Sequence, residues 1–172
     1  REAGGLLALA RAELAGGDAI KADGLLATAA DTMRRVNERF LLGEILELQG
    51  RINLESSRDQ SQLKGLQYLL EAHECFRHLG LPDAEARVLL TIAREDIRQR
   101  AVDRALERVE KARRLLDTVA DPVALRAEID EVYRRLEQSF VANAVTAMES
   151  FDAHREMEAV LRSDRTFDAK IN

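Results

Sequence analysis

The stretch at residues 72–93, AHECFRHLGLPDAEARVLLTIA, contains the end of one helix, a tight turn and the start of a second helix. Ala72 and Phe76 are four residues apart, so a small and a bulky side chain share one helix face. Gly80 favours the left-handed backbone that ends a helix, and Pro82 favours the first position of the next one. The stretch therefore predicts two consecutive helices that pack against each other across a short turn.

The rest of the chain shows the same helical periodicity and similar interruptions. Apolar residues recur every three or four positions, and no segment has the alternation of a β-strand. Asp18, after two glycines, and Asp121, before Pro122, are typical helix starts. These signals predict an all-α protein of about eight helices, near residues 3–15, 18–36, 38–54, 61–79, 83–98, 101–119, 122–138 and 141–162.

The composition narrows the class of protein. Apolar residues make up 46% and charged residues 33% of the 172 residues, which is typical of a folded globular chain. The net charge of −5 disfavours a general nucleic-acid binder, and no apolar run is long enough to span a membrane. The single cysteine, Cys75, cannot form an internal disulfide, which favours a reducing compartment. We therefore expect a cytoplasmic protein that binds neither membranes nor nucleic acid.

A spaced set of small and large residues recurs in three of the predicted helices. Its positions 0, 4 and 7 are Ala22, Leu26 and Ala29, then Ala72, Phe76 and Leu79, then Ala105, Val109 and Ala112. A small residue lets a neighbouring helix approach closely, and the larger residue four positions later fills the adjacent space. We expect these side chains to interlock between stacked helix pairs.

This pattern resembles the tetratricopeptide repeat, a helix–turn–helix unit of about 34 residues. The segment 16–22, GGDAIKA, is similar to the Gly-Asp turn of that family. The segment 103–116, DRALERVEKARRLL, followed by Asp121 and Pro122, is similar to its second helix and closing Asp-Pro. The chain departs from the family at Glu13 and Asp96, where a buried aromatic residue is usual. The resemblance implies a right-handed α-solenoid of antiparallel helical hairpins.

The resemblance divides the chain into three parts: about three tetratricopeptide-like hairpins over 1–121, capping or linker helices over 122–163, and a tail over 164–172. In the second part, apolar residues step by three or four positions: Leu125, Ile129, Val132, Leu136, Phe140, Ala144, Met148 and Phe151. This pattern leaves open one long helix or two helices bent near Ser139. Such a segment caps the last hairpin, or pairs with its own copy and leads to a further domain.

Candidate chemical groups are few. In the segment 73–78, HECFRH, only Cys75 and His78 share a helix face, so we predict no metal site. No nucleophile motif and no phosphate-binding glycine loop occurs, and we predict a non-catalytic protein without a cofactor. A basic stripe follows one predicted helix and comprises Arg100, Arg104, Arg108 and Lys111. We interpret this stripe as a solvated helix face interleaved with acidic residues.

The resemblance also implies a concave groove lined by the first helices of the hairpins, where partners of this family bind. The candidate partner-binding residues are Leu7, Arg11, Leu14, Leu90, Arg94 and Arg98. Their mixture of apolar and guanidinium side chains suits an extended peptide, or a helix with acidic groups.

We therefore predict a non-catalytic scaffold that binds another protein, a peptide or another domain of its own chain. The sequence begins without Met, and we expect a module of a longer bacterial signalling or transcription-regulating protein. Two alternatives stay open: a peptide or small-ligand sensor, and a homodimerisation element through residues 123–163.

Overall fold

The computed structural model describes the backbone of residues 2–119 and 121–168, and the side chains of residues 3–119, 121–151 and 155. Over these residues the chain is all-α, as predicted, and contains no β-strand. The α-helices are α1 (Glu2–Ala15), α2 (Ala19–Val36), α3 (Arg39–Leu54), α4 (Asp59–Leu79), α5 (Pro82–Arg98), α6 (Val102–Leu115) and α7 (Val123–Asp168). A short 3-10 helix at Leu116–Thr118 follows α6.

The helix ends are confirmed at the turns that the sequence marks most clearly. Between α4 and α5, Gly80 has a left-handed backbone with φ of 65°, and its N–H donates to the Arg77 carbonyl at 3.2 Å. Pro82 then opens α5. Between α1 and α2, the Asp18 carboxylate accepts the backbone N–H of Lys21 at 2.9 Å. Each turn thus satisfies backbone groups that a helix end leaves unpaired.

Helices that follow each other in the chain pack against each other. The broadest contacts join α1 with α2, α3 with α4 and α5 with α6, and α7 packs on both α5 and α6. Two apolar cores result, one built from α1 to α5 and the other from α5 to α7. Helix α5 belongs to both cores: Val88 and Ile92 lie in the first, and Leu89 and Leu90 lie in the second.

The spaced set of small and large residues is buried as predicted, except at Leu79. Leu79 is 41% exposed because it is the last residue of α4, where the chain turns away at the protein surface. The ring of Phe76 lies over Gly43 of α3, and a Cβ atom at Gly43 would be 2.7 Å from a ring carbon. At Phe76, therefore, the interlock lies within the helix pair α3–α4, whereas we expected it between successive pairs.

The close approach of α3 and α4 depends on two glycines that face each other. A Cβ atom at Gly65 would lie 2.8 Å from the carbonyl oxygen of Gly50 and 3.0 Å from the backbone nitrogen of Leu54. A Cβ atom at Gly50 would lie 2.5 Å from the Leu69 side chain. Because backbone atoms cannot rotate away as a side chain can, a larger residue at Gly65 would push the helices apart.

The C-terminal segment forms one helix, α7, without a break near Ser139. Its first part buries Leu125, Ile129, Val132 and Leu136 against the second core. From Val141 to Phe151 the side chains are exposed, except for partly buried Asn143. The helix enters the segment 164–172 that we predicted as a tail and is described as far as Asp168; residues 169–172 lie outside the described part. None of the described helices combines the length and apolar character that crossing a bilayer requires.

Candidate functional site

The three apolar residues predicted to bind a partner lie at or inside the cores. Leu7 belongs to the first core and is 5% exposed, and Leu90 belongs to the second and is fully buried. Leu14 is partly exposed and packs against the first core. Neighbouring helices cover Leu7 and Leu90, so both side chains lie beneath the protein surface and support the helices from inside.

The three predicted arginines are on the surface, but only two of them come together. Arg11 of α1 is exposed and pairs with Glu44 of α3 at 3.3 Å. Arg94 and Arg98 line one open groove of about 780 Å³ between α3, α5 and α7. Its lining residues are Glu47, Arg51, Leu54, Glu55, Arg87, Thr91, Arg94, Glu95, Ile97, Arg98, Glu128 and Arg135.

Helical spacing places these side chains on one face of each helix. Along α5, groove residues follow one another every three or four positions: Arg87, Thr91, Arg94 and Arg98. The other faces of α5 are held in the two cores, so this helix cannot rotate without exposing apolar side chains. The floor of the groove is therefore a fixed surface.

Ion pairs between helices hold the groove arginines in place. The Arg94 guanidinium lies 3.1 Å from the Glu128 carboxylate and 3.8 Å from that of Glu131, both on α7. Arg87 lies 3.5 Å from the Glu47 carboxylate on α3. These pairs are partly exposed, and such pairs contribute about 0–1 kcal/mol each. A carboxylate of a partner can therefore replace Glu128 or Glu131 on Arg94 at small cost.

Two further arginines widen the basic surface at the α3 side of the groove. Arg98 donates to the Leu54 carbonyl at 3.2 Å and also pairs with Glu95. Arg51 is exposed, and no carboxylate of the described side chains lies within 4 Å of its guanidinium group. Both groups keep N–H donors toward the open groove, since a guanidinium carries five donors.

Glu47 is the most buried carboxylate of the groove lining after Glu95, and its environment affects its charge. Burial raises the pKa of the Glu47 carboxyl, while the positive charges of Arg87 and Arg51 oppose that rise. As the pH falls, Glu47 therefore takes up a proton before an exposed glutamate would, and the groove becomes more positive.

No protein-family model, curated protein or solved structure matches this chain. The tetratricopeptide-like assignment therefore stays a prediction from the sequence motifs, and the candidate site rests on the geometry of its own residues.

Sequence reasoning missed several groove residues for two different reasons. Arg87 precedes Arg94 by two turns of the same helix, so the periodicity of α5 alone could have indicated it. Arg51 and Arg135 lie on other helices, and their proximity to Arg94 follows only from the packing of α3 and α7 around α5.

The basic stripe of α6 is not a purely solvated face, which corrects our interpretation of the sequence. Arg108 pairs with the buried carboxylate of Asp96 on α5, and Arg104 lies 3.6 Å from the same group. Lys111 lies 3.2 Å from the buried carboxylate of Glu85. Asp96 lies where the tetratricopeptide family usually has an aromatic residue. In this chain, Arg104 and Arg108 of α6 offset the negative charge of Asp96. Arg104, Arg108 and Lys111 thus join α6 to α5, whereas Arg100 lies in the turn before α6.

The histidine and cysteine residues of 73–78 also have structural surroundings. The His73 Nε2 atom lies 3.1 Å from a Glu85 oxygen and 2.9 Å from the Lys111 amine, between α4, α5 and α6. Burial lowers the pKa of His73, and the charge of Lys111 lowers it further. Cys75 is buried, which raises the pKa of its thiol. Across the described side chains, no three His, Cys, Asp or Glu residues cluster closely enough to bind a metal ion.

Proposed function

We propose that this chain is a non-catalytic scaffold that binds an extended acidic segment in the groove between α3, α5 and α7. The segment belongs to another protein or to another domain of the same chain. One observation carries the proposal. Five arginines and four glutamates line the groove, whereas the whole chain carries a net charge of −5. The lining thus has a small excess of positive charge on an acidic protein, and the exposed donors of Arg51 and Arg98 favour a partner with carboxylates.

The order of helix contacts supports a row of helix pairs, and the tetratricopeptide resemblance implies that this row is a right-handed α-solenoid of antiparallel hairpins. The pairs α1–α2, α3–α4 and α5–α6 would be the three repeats, and α7 would cap the last. In this arrangement α3, α5 and α7 are the first helices of successive units. The groove that they line is where the tetratricopeptide resemblance implies a partner site. As part of this proposal, we retain the role of a cytoplasmic module in a longer regulatory protein.

Binding would combine charge with a small apolar contact. Carboxylates of the partner accept hydrogen bonds from Arg51, Arg94 and Arg98, which face the open space. Leu54 and Ile97 in the lining offer apolar surface for one aliphatic or aromatic side chain of the partner. An extended segment that alternates acidic and apolar residues fits both contacts.

Peptide selection followed by point mutation tests the proposal. Peptides selected on the full chain from a random displayed library should be enriched in Asp and Glu, with Leu, Ile or Phe between them. Fluorescence anisotropy then measures the dissociation constant of one selected peptide. We expect the double variant Arg94→Gln, Arg98→Gln to weaken binding at least about tenfold, which is a loss of about 1.4 kcal/mol.

A matched control removes the same charge elsewhere. Arg35 and Arg114 are exposed on α2 and α6, outside the groove lining. The double variant Arg35→Gln, Arg114→Gln should keep the affinity within about twofold at moderate salt. In contrast, Glu47→Gln should strengthen binding about threefold, because it removes a negative charge from the groove. Equal affinity of both arginine double variants, each with an unchanged melting temperature, would rule out this groove.

A further inference from the structure

The middle of α7 exposes an apolar face that no described part of the chain covers. Five large apolar side chains, Phe140, Val141, Val145, Met148 and Phe151, are between 48% and 69% exposed. The segment 140–148, FVANAVTAM, contains no charged residue. A solvent-facing helix in an isolated chain normally carries charges, and contiguous exposed apolar surface marks an interaction site.

Part of this face follows the spacing of a two-helix coiled coil. Val141, Ala144, Met148 and Phe151 occupy alternate steps of three and four residues, which are the a and d positions of two heptads. We call these four residues the α7 stripe. The same repeat places Glu137 one step before the stripe, at d, and Arg155 one step after it, at a. Both side chains are exposed.

We propose that the chain forms an antiparallel homodimer in which the α7 stripe of one copy packs against the α7 stripe of a second copy. In an antiparallel pair, each a position faces a d position of the partner helix. Val141 then faces Phe151, and Ala144 faces Met148, so each layer combines a smaller with a larger side chain. The centre of the pair lies at Thr146, and every layer occurs twice by symmetry.

The charges that flank the stripe decide the direction of pairing. In the antiparallel register, Glu137 of one copy faces Arg155 of the other, at both ends of the stripe. In a parallel pair, Glu137 would face Glu137 and Arg155 would face Arg155, and both layers would repel. The uncharged segment 140–148 brings no like charges together at the twofold axis. The charge pattern therefore favours a second copy of the chain as the partner that covers the α7 stripe.

The experiment measures the mass of the full chain by sedimentation equilibrium up to about 100 μM, which detects dissociation constants up to that value. The mass should rise with concentration from 19.3 kDa toward that of two chains. Met148→Glu should raise the dissociation constant at least about tenfold, because it places a carboxylate in a layer that occurs twice. The control Ile20→Glu changes a residue that is 88% exposed on α2 and should leave dimerisation unchanged. These positions are exposed, so circular dichroism should show an unchanged helix content.

Charge exchange tests the antiparallel direction. Glu137→Arg and Arg155→Glu should each weaken the dimer about tenfold, and the double variant should return to within about threefold of the original chain. In a parallel dimer, single changes would only replace one like-charge layer by another, without weakening or rescue. A mass of 19.3 kDa at every concentration, or a dimer that tolerates Met148→Glu, would overturn the proposal. Failure here would leave peptide binding to the groove untouched, because the stripe and the groove share no residue.

Discussion

Because α3 and α4 are in close contact, we expect alanine to have opposite effects on stability at two helical glycines. Gly65 of α4 faces backbone atoms of α3, whereas a Cβ atom at Gly24 of α2 would meet no atom within 4 Å. Both glycines lie inside helices, where alanine is favoured over glycine by about 0.5–1 kcal/mol. We therefore expect Gly24→Ala to stabilise the fold and Gly65→Ala to destabilise it.

The magnitude at Gly65 follows from the distance to the facing helix. Its added Cβ atom would be 2.8 Å from the Gly50 oxygen, and normal contact requires the helices to separate by about 0.5 Å. A gap of that size forfeits about a quarter of the dispersion energy across the contact. Leu69, fully buried against Gly50, makes about 50 atomic contacts of about 0.15 kcal/mol each, so the loss at this one residue is at most about 2 kcal/mol. The other residues of the α3–α4 contact add to this loss. After the gain in helix propensity, Gly65→Ala should cost about 1 kcal/mol or more.

Thermal unfolding followed by circular dichroism measures both variants against the original chain. For a domain of this size, about 1 kcal/mol changes the melting temperature by about 2–4 °C. The two variants should thus differ by about 4–8 °C, with the original chain between them. The pair controls for helix propensity, since both substitutions are the same. If Gly65→Ala melts as high as Gly24→Ala, then α3 and α4 do not touch through their backbones, which would contradict the packing of Leu69 against Gly50.

Two further predictions concern backbone strain and pH. Arg100 has a left-handed backbone with φ of 59°, so Arg100→Gly should raise the free energy of unfolding by about 1 kcal/mol. Asn37 has a similar φ of 54°, but Asn37→Gly should gain less because asparagine tolerates this region. Thermal melting of both variants checks this order. Burial and Lys111 lower the pKa of His73 in the fold, so the unfolded chain takes up this proton first as the pH falls below about 6.5, and stability decreases there. The melting temperature of the original chain should therefore fall more between pH 7 and pH 5 than that of His73→Gln, and parallel curves would contradict the assigned environment of His73.

Local signals in the sequence were sufficient for most of the helices and turns. Gly80 with Pro82, and Asp18 after two glycines, act on adjacent backbone atoms, so their effect can be inferred without knowing the rest of the fold. The burial of Ala22, Ala72 and Ala105 was predictable for a similar reason, because helical periodicity places them on the apolar face.

The groove was only partly predictable because it depends on contacts between distant segments. Arg94 and Arg98 could be chosen from the expected face of α5, but Leu90 on the same helix is turned into the second core. A single helix has several faces, and the packing of α7 against α5 determines which face of α5 remains exposed. The same limit explains the α6 stripe, whose Arg108 meets Asp96 only when α5 and α6 are packed.

Helix α7 connects the two proposals because it supplies one wall of the groove and also the proposed dimer contact. Its groove residues lie around position 131, about 15 residues from the centre of the antiparallel pair at Thr146. At about 1.5 Å per residue, the two grooves of a dimer would be separated by about 45 Å along the helices. The groove lining shares no residue with the α7 stripe, so we expect a single acidic segment to bind one copy and the pair with similar affinity. A partner that carries two such segments on a linker long enough to span this distance would bind both grooves at once and gain affinity from their fixed separation. Dimerisation would thus favour partners that carry two acidic segments at the right spacing, without any change in the groove itself.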